Sequence, residues 1–280
     1  MGCLALATDF RIVATVDPDL RTVRGTMTVP PGTVVVDPLA RLPDPTDDLQ
    51  AFRTFPGAPS HGAVTWERDG DALAFEARLP RRFGTIGATS HGLFASGGWY
   101  PEPDAIGSWD VTVTLPPGTG GALGDVADTD LLHWEGTGER AALAVVRDPR
   151  FVPLSDDVLL VSQGKPPKIL VRELETALAL WPTASSGIVV RAPLRRRHTG
   201  HAPGLAFVSD RAFRVTPGFA FVHREAVARG IAAAFVPSPD PFDRELAAAA
   251  LGQPYAERLR GIHRNRPSRR SASIPRRRSA

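Results

Sequence analysis

The sequence predicts a mainly β front half, an antiparallel sandwich or saddle-like domain, followed by a small α/β portion, so that the chain is α+β overall. Three observations carry that expectation. Pro 27 and Gly 26 in 280 residues cut the chain into short segments, which favours strands and turns over long helices. Period-two alternation recurs before residue 160, and helical spacing of apolar residues begins only after it. Hydrophobic residues make up 42% of the chain, enough for a packed core.

The front half is taken strand by strand. Residues Phe10 to Val16 are rich in β-branched side chains and stop at Asp17-Pro18-Asp19. Thr22 to Val29 follows and is ended by Pro30-Pro31-Gly32; Thr33 to Val36 is a short run before Asp37-Pro38. Ala63 to Arg68 and Ala72 to Leu79 flank Asp69-Gly70-Asp71, the signature of a hairpin. Trp109 to Leu115 alternates apolar and polar residues and halts at Pro116-Pro117-Gly118. Leu131 to Glu135 and Arg140 to Val146 are expected to form another pair.

The pattern changes near Ser162-Gln163-Gly164-Lys165-Pro166-Pro167, which sets the expected boundary between domains at 1–162 and 165–260. Leu170, Leu174, Leu178 and Trp181 then recur at helical spacing, and Pro182 ends that helix. Gly187 to Ala192 and Gly204 to Ser209 are expected strands. Thr216-Pro217 and Asp240-Pro241 offer helix starts, with helices running to about Phe235 and Arg260. From Gly261 onward there is no acidic residue and seven arginines, so residues 261–280 are expected to be a disordered Arg-rich tail.

Charge and cysteine usage narrow the function classes. The formal net charge of +3 owes its sign to that tail, and the remainder is mildly acidic. Nucleic-acid binding is therefore not expected, except weakly through the tail. Cys3 is the only cysteine, which excludes an internal disulfide and a thiolate metal cluster. No apolar run approaches the roughly 18 residues that span a bilayer. With no secretory signal in evidence at Met1 to Ala7, a cytoplasmic protein is expected, with export open if a leader precedes this start.

Two segments resemble one family. Gly98-Trp99-Tyr100-Pro101-Glu102-Pro103, followed by Trp109-Asp110-Val111-Thr112-Val113-Thr114-Leu115-Pro116-Pro117-Gly118, is similar to the N-terminal β domain of aminopeptidase N-like (gluzincin) zinc metallopeptidases. Val146-Arg147-Asp148-Pro149-Arg150-Phe151 resembles the strand that closes that domain. The resemblance covers roughly residues 9–236 and implies a truncated, thermolysin-like α/β portion behind the β domain, without the family's helical C-terminal region or its transition-state-stabilising Tyr.

The same resemblance implies where zinc chemistry would sit. The family uses His-Glu-x-x-His on a helix: two histidines at i and i+4 share one face and hold the metal, and the Glu acts as general base. Here the matching helix reads Phe221-Val222-His223-Arg224-Glu225-Ala226-Val227-Ala228-Arg229. Aligned on Glu225, Arg224 and Ala228 occupy the two His positions. A guanidinium offers no lone pair to a metal, and alanine offers no donor at all. His223 is one residue off, about 100° around the helix. The third ligand falls at Ala247, with Glu245 near but out of phase. The family's amine-recognising Glu aligns with His201 in Thr199-Gly200-His201-Ala202-Pro203-Gly204. Glu225 is thus the one surviving catalytic position, and His201 the one at a substrate-binding position.

The expected function is a non-catalytic, peptidase-like protein with a binding or scaffold role and a peptide or protein as ligand. No cofactor is expected on that reading. The alternative is a zinc-dependent aminopeptidase using a non-standard ligand set, for which His198, His201 and His223 are the available donors. The same histidines read more simply as surface residues beside the cationic run Arg195-Arg196-Arg197. No Gly-x-Ser-x-Gly and no Gly-x-Gly-x-x-Gly is present, so neither a serine nucleophile elbow nor a dinucleotide fingerprint is expected.

Overall fold

The computed structural model describes residues 9–42, 60–179, 186–194, 199–209 and 220–235. Its organisation follows from how many dry faces each strand has. With strands numbered in chain order, the first sheet contains β1 (Phe10–Val16), β2 (Thr22–Thr28), β4 (Ala63–Asp69), β5 (Ala72–Arg78), β9 (Gly107–Thr114) and β12 (Leu131–Gly138). They lie in the order β12-β9-β1-β2-β5-β4. In β1, Phe10, Ile12, Ala14 and Val16 are buried while Arg11, Val13 and Thr15 face water. That is the alternation a sheet with one solvated face requires. The hairpin expected around Gly70 is formed, with Asp69 opposite Ala72 and Gly70 at φ 58° in the turn.

Within this sheet one pair departs from the antiparallel expectation. β1 and β9 run parallel, with Phe10 opposite Trp109 and Thr15 opposite Thr114. Parallel neighbours need a long crossover, and here residues 17–106, which include β2, β4 and β5, supply it. A two-strand ribbon of β3 (Val35–Val36) and β8 (Glu102–Pro103) lies on that path.

The second sheet contains β6 (Ile86–Thr89), β7 (Gly92–Ala95), β10 (Thr119–Leu123), β11 (Val126–Asp128) and β13 (Leu143–Arg147), in the order β11-β10-β13-β7-β6 and wholly antiparallel. Its inner strands are buried on both faces. Leu93, Leu123, Leu143 and Val145 join the core shared with the first sheet, which also holds Ile12, Val111 and Trp109. Phe94, Ala122, Ala144 and Val146, their alternating neighbours, join a different core on the other side. The expected pairing of segment 131–135 with 140–146 is corrected here. β12 pairs with β9 in the first sheet, and β13 pairs with β10 and β7 in the second. The chain crosses between layers at residues 139–142, held by aromatic side chains. Trp109 Nε1–H donates to the Gly138 carbonyl (2.9 Å), Trp99 Nε1–H donates to the Ala141 carbonyl (2.9 Å), and the Ala141 N–H donates to the Tyr100 hydroxyl (2.9 Å).

The third sheet contains β14 (Pro149–Pro153), β15 (Val158–Gln163), β16 (Gly187–Arg191), β17 (Thr199–Ala202) and β18 (Leu205–Val208). Its order is β14-β15-β16-β18-β17, with β15, β16 and β18 mutually parallel and an antiparallel strand at each edge. One face, through Val161, Ile188, Val190, Leu205 and Phe207, closes the core against the second sheet. The other, through Leu160, Val189, Ala206 and Val208, is covered by helices α1 (Lys168–Leu178) and α2 (Ala220–Phe235). The described residues thus stack in four layers: sheet, sheet, sheet, helices. The boundary expected at 162–165 falls at the end of β15, ahead of α1, so β14 and β15 precede it in sequence while β15 pairs with β16 beyond it. Trp181, Pro182, Thr216-Pro217, the segment 240–260 and the tail lie outside the described residues.

The Trp99-Tyr100 segment also carries a carboxylate. Glu102 accepts a hydrogen bond from the Gly98 N–H (2.8 Å), and burial pushes its pKa above the ordinary 4.5, with that N–H and Arg140 opposing the shift. Tyr100 is fully buried, and desolvation raises its pKa well above 10.0.

Two outcomes follow from this architecture. A fragment of residues 1–164 keeps β14 and β15 but loses the part of the cover over the second sheet that Ile188, Val190, Leu205 and Phe207 supply and, at about 1.5–3 kcal/mol per large apolar side chain, is expected to melt below the full chain and bind a hydrophobic dye. A monomeric fragment with the full chain's melting temperature would show that the second sheet tolerates one wet face. For Glu102, a raised folded pKa means that the folded state holds the proton more tightly than the unfolded state. Its stabilising contribution is complete below pH 4.5 and is lost as pH rises through the folded value. Glu102→Gln is expected to lack that loss, so the stability difference between variant and parent should grow with pH above 4.5 in denaturation curves. A difference independent of pH would place the folded pKa at its ordinary value.

Candidate functional site

The two positions singled out for chemistry belong to adjacent elements of the third sheet's helical face. Gly204, at φ 75°, forms the tight turn between β17 and β18, a conformation glycine adopts without penalty. Its N–H donates to the Ala234 carbonyl (2.8 Å), tying the C-terminal end of α2 to that turn. Val227, Ile231, Ala234 and Phe235, at helical spacing, seat α2 in the core beneath β16 and β18, and the helix also packs on β17.

Among the described residues β17 is an edge strand, paired with β18 on one side, with His201 opposite Ala206. Ala202 belongs to the core facing the second sheet, and a Cβ at Gly200 would meet Thr85 Cγ2 at 2.1 Å. The close approach of Thr85 therefore requires glycine at 200. By alternation, His201 stands on the opposite face of the strand, the one α2 covers, and it is half-buried there. The structure thus brings His201 to the helix that carries His223 and Glu225. Those two are placed along α2 by its backbone. His198 and the run 195–197 lie outside the described residues.

Ala228, at the second His position of the resemblance, is fully buried in α2. A zinc ligand there needs an imidazole in a space that a methyl group now occupies. Arg224 and Ala228 together offer no lone pair. The residues at these positions do not fit the zinc centre that the resemblance implies, and no step through a metal is derived from them. Sequence reasoning missed β17 as a strand. The Gly-His-Ala-Pro-Gly run lacks β-branched residues after Thr199, and the strand is held by its pairing with Leu205–Val208.

No protein-family model matches the chain, and no curated protein matches it. Solved structures do. The zinc metallopeptidase of the M1 class from Deinococcus radiodurans is similar over 96% of this chain and 77% of its own, at 17% identity and a TM-score of 0.41. Native leukotriene A4 hydrolase from Saccharomyces cerevisiae is similar over 82% of this chain, at 10% identity and a TM-score of 0.40. The yeast hydrolase in complex with bestatin gives 81%, 10% and 0.41. The chain spans 44% and 45% of those two yeast chains. Among the described residues, no helix is long and apolar enough to cross a membrane.

Burial at 228 has a measurable consequence. Ala228→His is expected to destabilise the protein by about 1–3 kcal/mol in chemical denaturation, because the ring overfills a packed position and brings a polar group with it. A change near zero would show that α2 has room for an imidazole on this face.

Proposed function

We propose that this chain is a non-catalytic protein of peptidase-like build that binds an extended peptide or a protein segment. The observation that carries the proposal is the buried Ala228 on the helix packed beside β17, with Arg224 at the other ligand position. Without a donor pair around Glu225, that carboxylate has no metal-bound water to activate. The edge of β17 supports the binding half of the proposal. An antiparallel edge strand presents backbone N–H and C=O groups to which an extended peptide adds as a further strand. No cofactor is assigned on this reading.

The alternative, a peptidase holding zinc through His198, His201 and His223, draws support from one feature only: β17 and α2, which carry two of the three, are packed together.

Incubation of the full chain with a mixed peptide pool and added zinc separates the two by mass spectrometry. Peptides retained on the protein and uncut are the expected result, and peptides neither retained nor cut would remove the binding role. Cleavage that a chelator abolishes, and that His201→Gln also abolishes, would establish the alternative.

A further inference from the structure

A second group of donors lies far from α2, on the solvated face of the first sheet. Asp110 on β9 stands directly opposite Glu135 on β12, and His133 is two residues from Glu135 on the same strand and face. One donor atom from each of Asp110, His133 and Glu135 lies within 4.8 Å of the others.

The imidazole sits between two carboxylates. His133 Nδ1 is 3.7 Å from Asp110 Oδ1 and 3.1 Å from Thr112 Oγ1, while Nε2 is 3.5 Å from Glu135 Oε1. A neutral imidazole carries one N–H and one lone pair. If Nδ1 bears the hydrogen, toward Thr112 or Asp110, the Nε2 lone pair faces an anionic oxygen. If Nε2 bears it, the Nδ1 lone pair faces Asp110, relieved only by the Thr112 hydroxyl. Either tautomer leaves a region of converging lone pairs that a cation would satisfy. Two carboxylates against one guanidinium leave the group net negative, although Arg11 offsets part of the charge on Asp110. Arg11 Nε lies 3.4 Å from Asp110 Oδ2, which engages one oxygen of that carboxylate and leaves Oδ1 toward the imidazole.

We propose that Asp110, His133 and Glu135 form a surface site for a divalent first-row transition metal of the zinc type. Zinc holds nitrogen and oxygen donors about 2.0–2.2 Å away, which places neighbouring donors roughly 3–3.5 Å apart. Donors now within 4.8 Å of one another close to that spacing by small side-chain rotations. Those rotations are open to His133 and Glu135, whose side chains are 53% and 76% exposed. Water completes the coordination on the open side. Imidazole selects zinc, cobalt or nickel over magnesium and calcium, which prefer all-oxygen surroundings. The site is separate from the proposed peptide-binding role and stands or falls without it.

Zinc chloride titrated into the full chain, followed by calorimetry and by the imidazole signals of His133, tests the site. The expected result is saturable one-to-one binding that shifts the His133 ring. His133→Gln and Glu135→Gln, both at exposed positions, are each expected to weaken it at least about ten-fold with unchanged melting temperature. Excess magnesium should not displace the metal. Equal zinc affinity in all three chains would place the metal at other histidines and overturn the proposal. So would a His133 ring that responds to pH alone, with the proton as its only cation, or displacement of zinc by magnesium.

Discussion

Burial of the second sheet on both faces is the constraint on which the rest of the structure depends. An antiparallel sheet ordinarily keeps one face wet. Here Leu93, Leu143 and Val145 are committed to one core and Phe94, Ala144 and Val146 to another. The first and third sheets are held at fixed distance on either side, and the helices can only cover the outer face of the third. The order of layers therefore follows from a few strands of small and aliphatic residues. The chain passes from the second sheet to the third through a single residue, Asp148 at φ 45°, between β13 and β14. The residues that carried the family resemblance have a structural task in this scheme. Trp99, Tyr100 and Trp109 form a buried cluster whose N–H and O–H groups fix the backbone where the chain changes layers.

In the first sheet, legibility came from the one wet face, whereas β16 and β18, buried almost throughout, were legible only as short apolar runs bounded by glycine. β1, β2, β4, β5, β9 and β12 alternate, and the alternation locates them. The second sheet was largely illegible for the same physical reason that makes it central. Thr119-Gly120-Gly121-Ala122-Leu123 is buried throughout, so no polar position marks the period, and its glycines suggest a loop. Gly121 is there because a Cβ would meet the Ala144 carbonyl oxygen at 2.4 Å. The parallel pairing of β1 with β9 was equally hidden, since local pattern says nothing about which strand returns to which edge.

The candidate site divides in the same way. Residue types at Arg224, Glu225 and Ala228 can be read directly, and they argue about lone pairs without any coordinates. What the sequence did not contain was the packing around Ala228, or the strand that presents His201 toward α2. The surface group of Asp110, His133 and Glu135 shows the opposite case. Its members are 23 and 25 residues apart along the chain, on strands assigned correctly from pattern, yet only the β9–β12 register brings them together. Cross-strand geometry is a property of pairing, and pairing partners were the weakest part of what composition and periodicity expressed.

The central placement of β1 has a bearing on biosynthesis. Asp9 and Ser108, hydrogen-bonded across the β1–β9 junction, are 99 residues apart, so β1's partner on that side emerges from the ribosome long after β1 itself. In the interval β1 can zip onto β2 and then β5 and β4, all close in sequence, but its far edge is open. Phe10, Ile12 and Ala14 lack their cover from β9 and the second sheet until translation has passed residue 114. A nascent chain of this protein thus carries an unfinished sheet edge from the completion of β1 until β9 has been made, and slow or paused translation between the two prolongs the period in which that edge is exposed to other chains.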